Sequence, residues 1–159
     1  MIDSRQCPKT RSDPTGDSVA GHWEHFDHGS DIGVRGIGDT LGEAYVQAAL
    51  AVTGAVANPA TVEARQIVDI ACETTDQDLL LGDCLNAVIH QMAVRKMLFG
   101  CFDVELDVHR LSARAAGESE PGARYLGPIR AAINCALGAG RSMSRMPATK
   151  RRHRRAVSL

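Results

Sequence analysis

The sequence predicts an α+β domain: an antiparallel or mixed sheet with two helices packed on one face. Three observations carry this. Two long segments repeat their apolar residues with helical period. The run from Phe102 to Val108 alternates apolar and acidic residues without a break. Short β-branched runs sit between these segments. A chain of 159 residues is long enough for one domain with a real core and too short for two.

The first extended segment is HWEHFDHGSDIGVRGI, residues 22–37, interrupted at Gly29-Ser30. Its second half sets Ile32, Val34 and Ile37 among glycines. Glycines inside a strand mark a place where another backbone comes close. Thr40 and Glu43 then have the spacing of a capping box, in which the hydroxyl and the carboxylate each accept from a free backbone N–H. Leu41, Ala44, Tyr45, Ala48, Val52, Ala55 and Val56 follow with helical period for about four turns. Gly42 weakens that helix modestly, and Asn58-Pro59 ends it.

QIVDIACE, residues 66–73, is a β-branched strand. A second helix follows from Thr74 to Lys96. Thr75 or Asp76 can cap it, and Arg95 and Lys96 in its last turn suit the helix dipole. Its apolar face is Leu80, Leu81, Cys84, Leu85, Val88, Ile89 and Met92. FDVELDV, residues 102–108, is a half-buried antiparallel strand. His109-Arg110 makes a turn, and LSARAAG pairs back. The order is β-β-α-β-α-β-β, with the helices on one sheet face.

Charge divides the chain. Residues 1–116 carry 9 Lys/Arg and 17 Asp/Glu, residues 117–159 carry 9 and 2, and no acid follows Glu120. The domain is therefore expected over 21–120, after a flexible arm at 1–20. Residues 121–159 are expected to be a basic tail, disordered or non-native, with the Arg-, Ala- and Gly-rich character of a GC-rich gene read out of frame. Its KRRHRRA cluster would suit phosphate contacts, so an RNA-binding protein that uses this tail is the alternative function. No apolar run approaches the ~18 residues of a membrane span, and residues 1–21 have no signal-like apolar region. The five cysteines include no C-x-x-C pair. They are expected as small buried hydrophobes in a reducing cytosol.

His22, His25 and His28 stand among Glu24, Asp27 and Asp31, which is a vocabulary of metal ligands. Strand alternation puts His22 and His28 on one face and His25 on the other. His22 and His28 are also about 20 Å apart along a strand. Three histidines so placed cannot meet one zinc ion, and an enzyme built on them is the least favoured function. Asp31 is different. It opens a strand after a bend, where a carboxylate can bind a hard cation if other oxygens arrive or can simply cap a turn. No Ser-His-Asp set, G-x-x-x-x-G-K or G-x-G-x-x-G motif demands an enzyme.

Several motifs in order resemble the archease family over about residues 22–120. Its D-H-x-x-D-I-G hallmark corresponds to Asp27, His28, Asp31, Ile32 and Gly33. The T-L-x-E-A-F element corresponds to Thr40, Leu41, Glu43, Ala44 and Tyr45. L-L-x-x-W-L-N corresponds to Leu80, Leu81, Cys84, Leu85 and Asn86, with Cys84 in place of the usual Trp. The resemblance implies a small cytoplasmic α+β protein that is not itself a catalyst. It implies an activator of an RtcB-type RNA ligase in tRNA splicing or RNA repair, which promotes guanylylation of the ligase and restores its turnover. It touches tRNA or other RNA only through the ligase. It also implies a bound Ca²⁺, with Asp31 as one ligand, His28 as a supporting residue, and the remaining ligands from an acid near the family's C-terminus. Here the family's V-K-A-x-T-Y strand and that acid are absent. Weak or absent cation binding and an unpaired sheet edge are expected.

Overall fold

A computed structural model describes residues 21–28, 31–75, 77–119 and 155–158. In chain order the elements are β1 (His22–His28), β2 (Asp31–Gly38), α1 (Leu41–Gly54), a 3₁₀ turn (Pro59–Thr61), β3 (Gln66–Glu73), α2 (Gln77–Arg95), β4 (Met97–Leu106), β5 (Arg110–Ser119) and β6 (Arg155–Ser158). The arm expected at 1–20 and most of the tail expected at 121–159 lie outside the described residues.

The α+β class holds, with antiparallel pairing throughout. The strands, however, divide into two three-stranded sheets, β1-β2-β6 and β3-β5-β4, where one sheet was expected. The division follows from α1. It packs against β2, β1 and β6 on one side and against β4 on the other, so it separates the sheets. A helix enclosed in this way cannot keep a single apolar stripe. Ala44, Tyr45, Ala48, Ala49, Ala51 and Val52 are all buried, which accounts for its alanine-rich sequence. α2 covers the second sheet, against β3, β4 and β5.

Two glycines of β2, Gly36 and Gly38, meet α1 in the close backbone approach the sequence anticipates. A Cβ on Gly36 would overlap the Ala44 carbonyl oxygen and the Ala48 amide nitrogen. Strand and helix therefore touch backbone to backbone. The capping box forms as expected. Glu43 N donates to Thr40 Oγ1 at 3.1 Å, while Asp39 N and Thr40 N donate to Glu43 Oε2 at 2.8 and 3.4 Å.

The second sheet holds the larger side chains. Phe99 and Phe102 pack edge to face at 6.0 Å, beside buried Leu85, Val88, Met92 and Leu111. β4 starts at Met97, earlier than its alternating pattern suggests, because Met97, Leu98 and Phe99 are buried in succession and show no period of two. A register shift between Phe99 and Cys101 bulges the strand. Thr53 Oγ1, buried on α1, donates to the Phe99 carbonyl there at 2.7 Å. α2 ends at Arg95, and the next residue, Lys96, has a left-handed φ of 52°. This turns the chain straight into β4.

Two further expectations fail. Cys72 and Cys84 are free and buried, but Cys101 is half-buried on β4 and disulfide-bonded. The expectation of structureless residues at 121–159 and an open sheet edge does not hold at Arg155–Ser158. This segment pairs antiparallel with β2 from Arg35↔Ser158 to Gly38↔Arg155. Val157 is the reason: it is 1% exposed and joins the core cluster around α1. A short Ala-Val-Ser alternation thus suffices to cover that edge.

Candidate functional site

The β1-β2 hairpin carries the residues singled out by the sequence. Its register runs from His22↔Ile37 at the open end to His28↔Asp31 at the closed end. Asp31 therefore does open a strand directly after the bend, with His28 as its cross-strand partner. The side chains of His28 and Asp31 lie outside the described residues.

The hairpin is positioned by two sets of contacts. On the α1 side, the Trp23 ring rests on Gly54, where an added Cβ would lie 2.6 Å from Cη2. His25 stacks beside Trp23 with ring centroids 5.1 Å apart. His25 Nε2 donates to the Ala51 carbonyl at 2.8 Å, in the last turn of α1, where that carbonyl also accepts from the Ala55 N–H at 3.1 Å. On the other face, the Phe26 ring lies across Gly33 so closely that a Cβ there would overlap it. Arg35 stacks on Phe26 at 4.8 Å from the ring centroid, and its Nη1 donates to Glu24 Oε1 at 2.7 Å. Cation–π contact and ion pair together hold a guanidinium that is about one quarter exposed.

The three histidines do not converge. His25 is engaged with α1, His22 is exposed at the open end, and His28 belongs to the closed end. Among the described residues, no three His, Cys, Asp or Glu groups are gathered in a way that could hold an ion. A calcium ion takes about 6–8 oxygens. β6 is laid on the strand that begins with Asp31, but its residues are Arg155, Ala156, Val157 and Ser158. Residues 121–159 contain no acid at all. Among the described residues, β6 brings no carboxylate to the strand that Asp31 opens.

Sequence reasoning missed two parts of this site. The Glu24–Arg35–Phe26 stack is a cross-strand device, visible only once Glu24↔Arg35 and Phe26↔Gly33 are known as register partners. A two-residue hairpin turn at Gly29-Ser30 would have supplied that register. β6 is four residues long, too short for a periodic signal.

Comparisons with known proteins fall on the same region. The model of the archease protein family matches residues 23–125. The archease of Pyrococcus furiosus is 36% identical over 85 residues, which are 54% of this chain and 60% of that protein. The archease of Pyrococcus abyssi is 32% identical over 100 residues, 60% of this chain and 70% of that protein. The solution structure of Methanobacterium thermoautotrophicum protein 1598 superposes with a TM-score of 0.57 at 28% identity, over 63% of this chain and 75% of that one.

Proposed function

This chain belongs to the archease family, and we propose that it is a non-catalytic activator of an RtcB-type RNA ligase in tRNA splicing or RNA repair. In this reading it promotes guanylylation of the ligase and restores its turnover, and it meets RNA only through the ligase. The observation that carries the reading is the family match over residues 23–125. The matched segment contains the hairpin with Asp27, His28, Asp31 and Gly33. No helix among the described residues is long and apolar enough to cross a membrane, and we place the protein in the cytoplasm with its ligase.

The family's Ca²⁺ fits this chain poorly. Asp31 is the residue that would contribute a carboxylate, and His28 would support it. A carboxylate without further oxygens binds a hard cation weakly. Calcium titration by calorimetry should therefore give little heat; tight binding abolished by Asp31→Ala would overturn that part of the reading.

The test of function is a guanylylation assay with the cognate ligase, with and without this chain. Stimulation is expected, and none at any ratio would sink the activator reading. The acid-free basic stretch at 121–159 supports a second reading as an RNA-binding protein. That reading requires salt-dependent RNA binding that disappears when residues 141–159 are deleted.

A further inference from the structure

The Glu24–Arg35–Phe26 stack differs from the other arginine ion pairs among the described residues. Arg65 and Arg114 are held by carboxylates alone, and their side chains are 65% and 63% exposed. The Arg35 side chain is 27% exposed. Its guanidinium carbon lies 4.8 Å from the Phe26 ring centroid, while Nη1 donates to Glu24 Oε1 at 2.7 Å. Among the described residues, Nε and Nη2 meet no acceptor.

Hairpin stability does not account for this arrangement. A surface ion pair contributes about 0–1 kcal/mol, and fixing a long side chain costs rotamer entropy of up to about 2 kcal/mol. What the stack secures is orientation. A planar fork is held in place, already stripped of much of its water, with two of its nitrogens left over. An arginine in that state has little further freedom or hydration to lose on entering an interface. Arginine and aromatic residues are also the side chains in which binding hot spots are enriched.

We propose that Arg35, set on Phe26 and turned by Glu24, is a docking residue that receives an Asp or Glu carboxylate of a partner protein through Nε and Nη2. The partner is the ligase of the activator reading, on which this inference rests.

The surroundings favour a carboxylate over a phosphate. Residues 22–35 hold Glu24, Asp27 and Asp31 against the one positive charge of Arg35. A polyanion such as RNA meets net repulsion over this hairpin. A single carboxylate needs only the planar fork, whose donors match its two oxygens. Arg35 stands on the strand that Asp31 opens, four positions along. A partner held there is therefore seated on the hairpin of the candidate site.

The measurement is affinity for the cognate ligase, by calorimetry, with the full chain and three variants whose folding is checked by thermal melts. Arg35→Gln should weaken binding by about 30-fold, the effect of losing a hot-spot residue. Arg35→Lys keeps the charge and can keep Glu24 as its partner, but it lacks the fork. It should still weaken binding about tenfold. Arg114→Gln removes an arginine from β5, where Asp103 is its partner, and should bind like the wild type. Wild-type affinity in both Arg35 variants would overturn the proposal, and so would an equal loss in Arg114→Gln. If Arg35→Gln does not fold, Arg35→Lys decides alone. A wild-type chain that does not bind the ligase sinks the activator reading and the docking residue with it. A wild-type chain that binds, with the Arg35 variants unaffected, sinks the docking residue only. In a parallel titration with single-stranded RNA, wild type and Arg35→Gln should not differ. RNA binding that is lost in Arg35→Gln would assign the fork to phosphate and refute the carboxylate.

Discussion

The two sheets are fastened to their helices in opposite ways. β2 meets α1 without side chains: Gly36 lies on the backbone of Ala44 and Ala48, and small residues are what allow it. The β3-β5-β4 sheet meets α2 through interlocked bulk, with Leu80, Leu85, Val88 and Met92 buried against Phe102, Leu111 and Ala113. Backbone contact leaves no atom that can rotate away, whereas a side-chain core can relax partly into any space that appears. The hairpin that begins β2 with Asp31 belongs to the unyielding half. The position of Gly36 relative to α1 is thus fixed by main chain.

This contrast orders the effects of substitution. The largest is expected at Gly36. Gly36→Val must drive α1 off β2 by more than a rotamer change can relieve, costing about 4 kcal/mol or more, so thermal melts should show no cooperative fold. Gly36→Ala should fall between this and the wild type. A Gly36→Val protein with near wild-type stability would show that the two backbones are not in contact. On the other side, Leu85→Ala removes a fully buried side chain and should cost about 3 kcal/mol while leaving a cooperative, weakened transition in urea. If both variants behave alike, the distinction between the halves is lost.

The same contrast explains what could be read without a structure. The α1 half was legible in kind: glycines in a strand followed by alanines in a capped helix announce close approach, and the capping box forms as its spacing requires. The existence of α2, β3 and the β4-β5 hairpin was equally plain from period and alternation. Illegible were the features set by tertiary partners. Met97 to Phe99 belong to a strand because α1 and α2 bury them, and their own pattern shows no alternation. The separation into two sheets depends on α1 being enclosed, which a helix's own sequence expresses only as an unusual supply of alanine. β6 rests on Val157 filling a place beside α1, a long-range contact from a segment whose composition suggested no structure. At the candidate site, the sequence placed Asp31 correctly at a strand start and separated the histidines correctly by alternation. It did not disclose that Arg35 would be held between Phe26 and Glu24, since that needs the register.

The hydrogen bond from Thr53 to the Phe99 carbonyl joins the two halves, and its loss should be intermediate. Thr53→Val keeps the shape, removes the donor and leaves a buried carbonyl at the β4 bulge with one partner fewer. A loss of about 2 kcal/mol is expected, read as a lower urea midpoint with unchanged slope. The interaction should also couple the halves. Combined with Leu85→Ala, Thr53→Val should be additive if the two halves respond independently, and non-additive by more than about 0.5 kcal/mol if the bulge shifts with the α2 core.

The smallest effect is expected at Lys96, and its sign is the informative part. Its φ of 52° is a conformation in which a side chain costs about 1–2 kcal/mol and glycine little. Glycine would give back part of that gain through a more flexible unfolded chain. It would also lose a positive charge beside the C-terminus of α2, where the dipole favours one. Lys96→Gly should therefore stabilise by only about 0.5 kcal/mol, raising the melting temperature by a few degrees. Lys96→Ala loses the charge and keeps the backbone strain, so it should be neutral or slightly worse. If Ala proves the better substitution, the α2–β4 junction does not depend on the left-handed turn. The direct passage from helix to strand would then rest on the burial of Met97 and Phe99 alone.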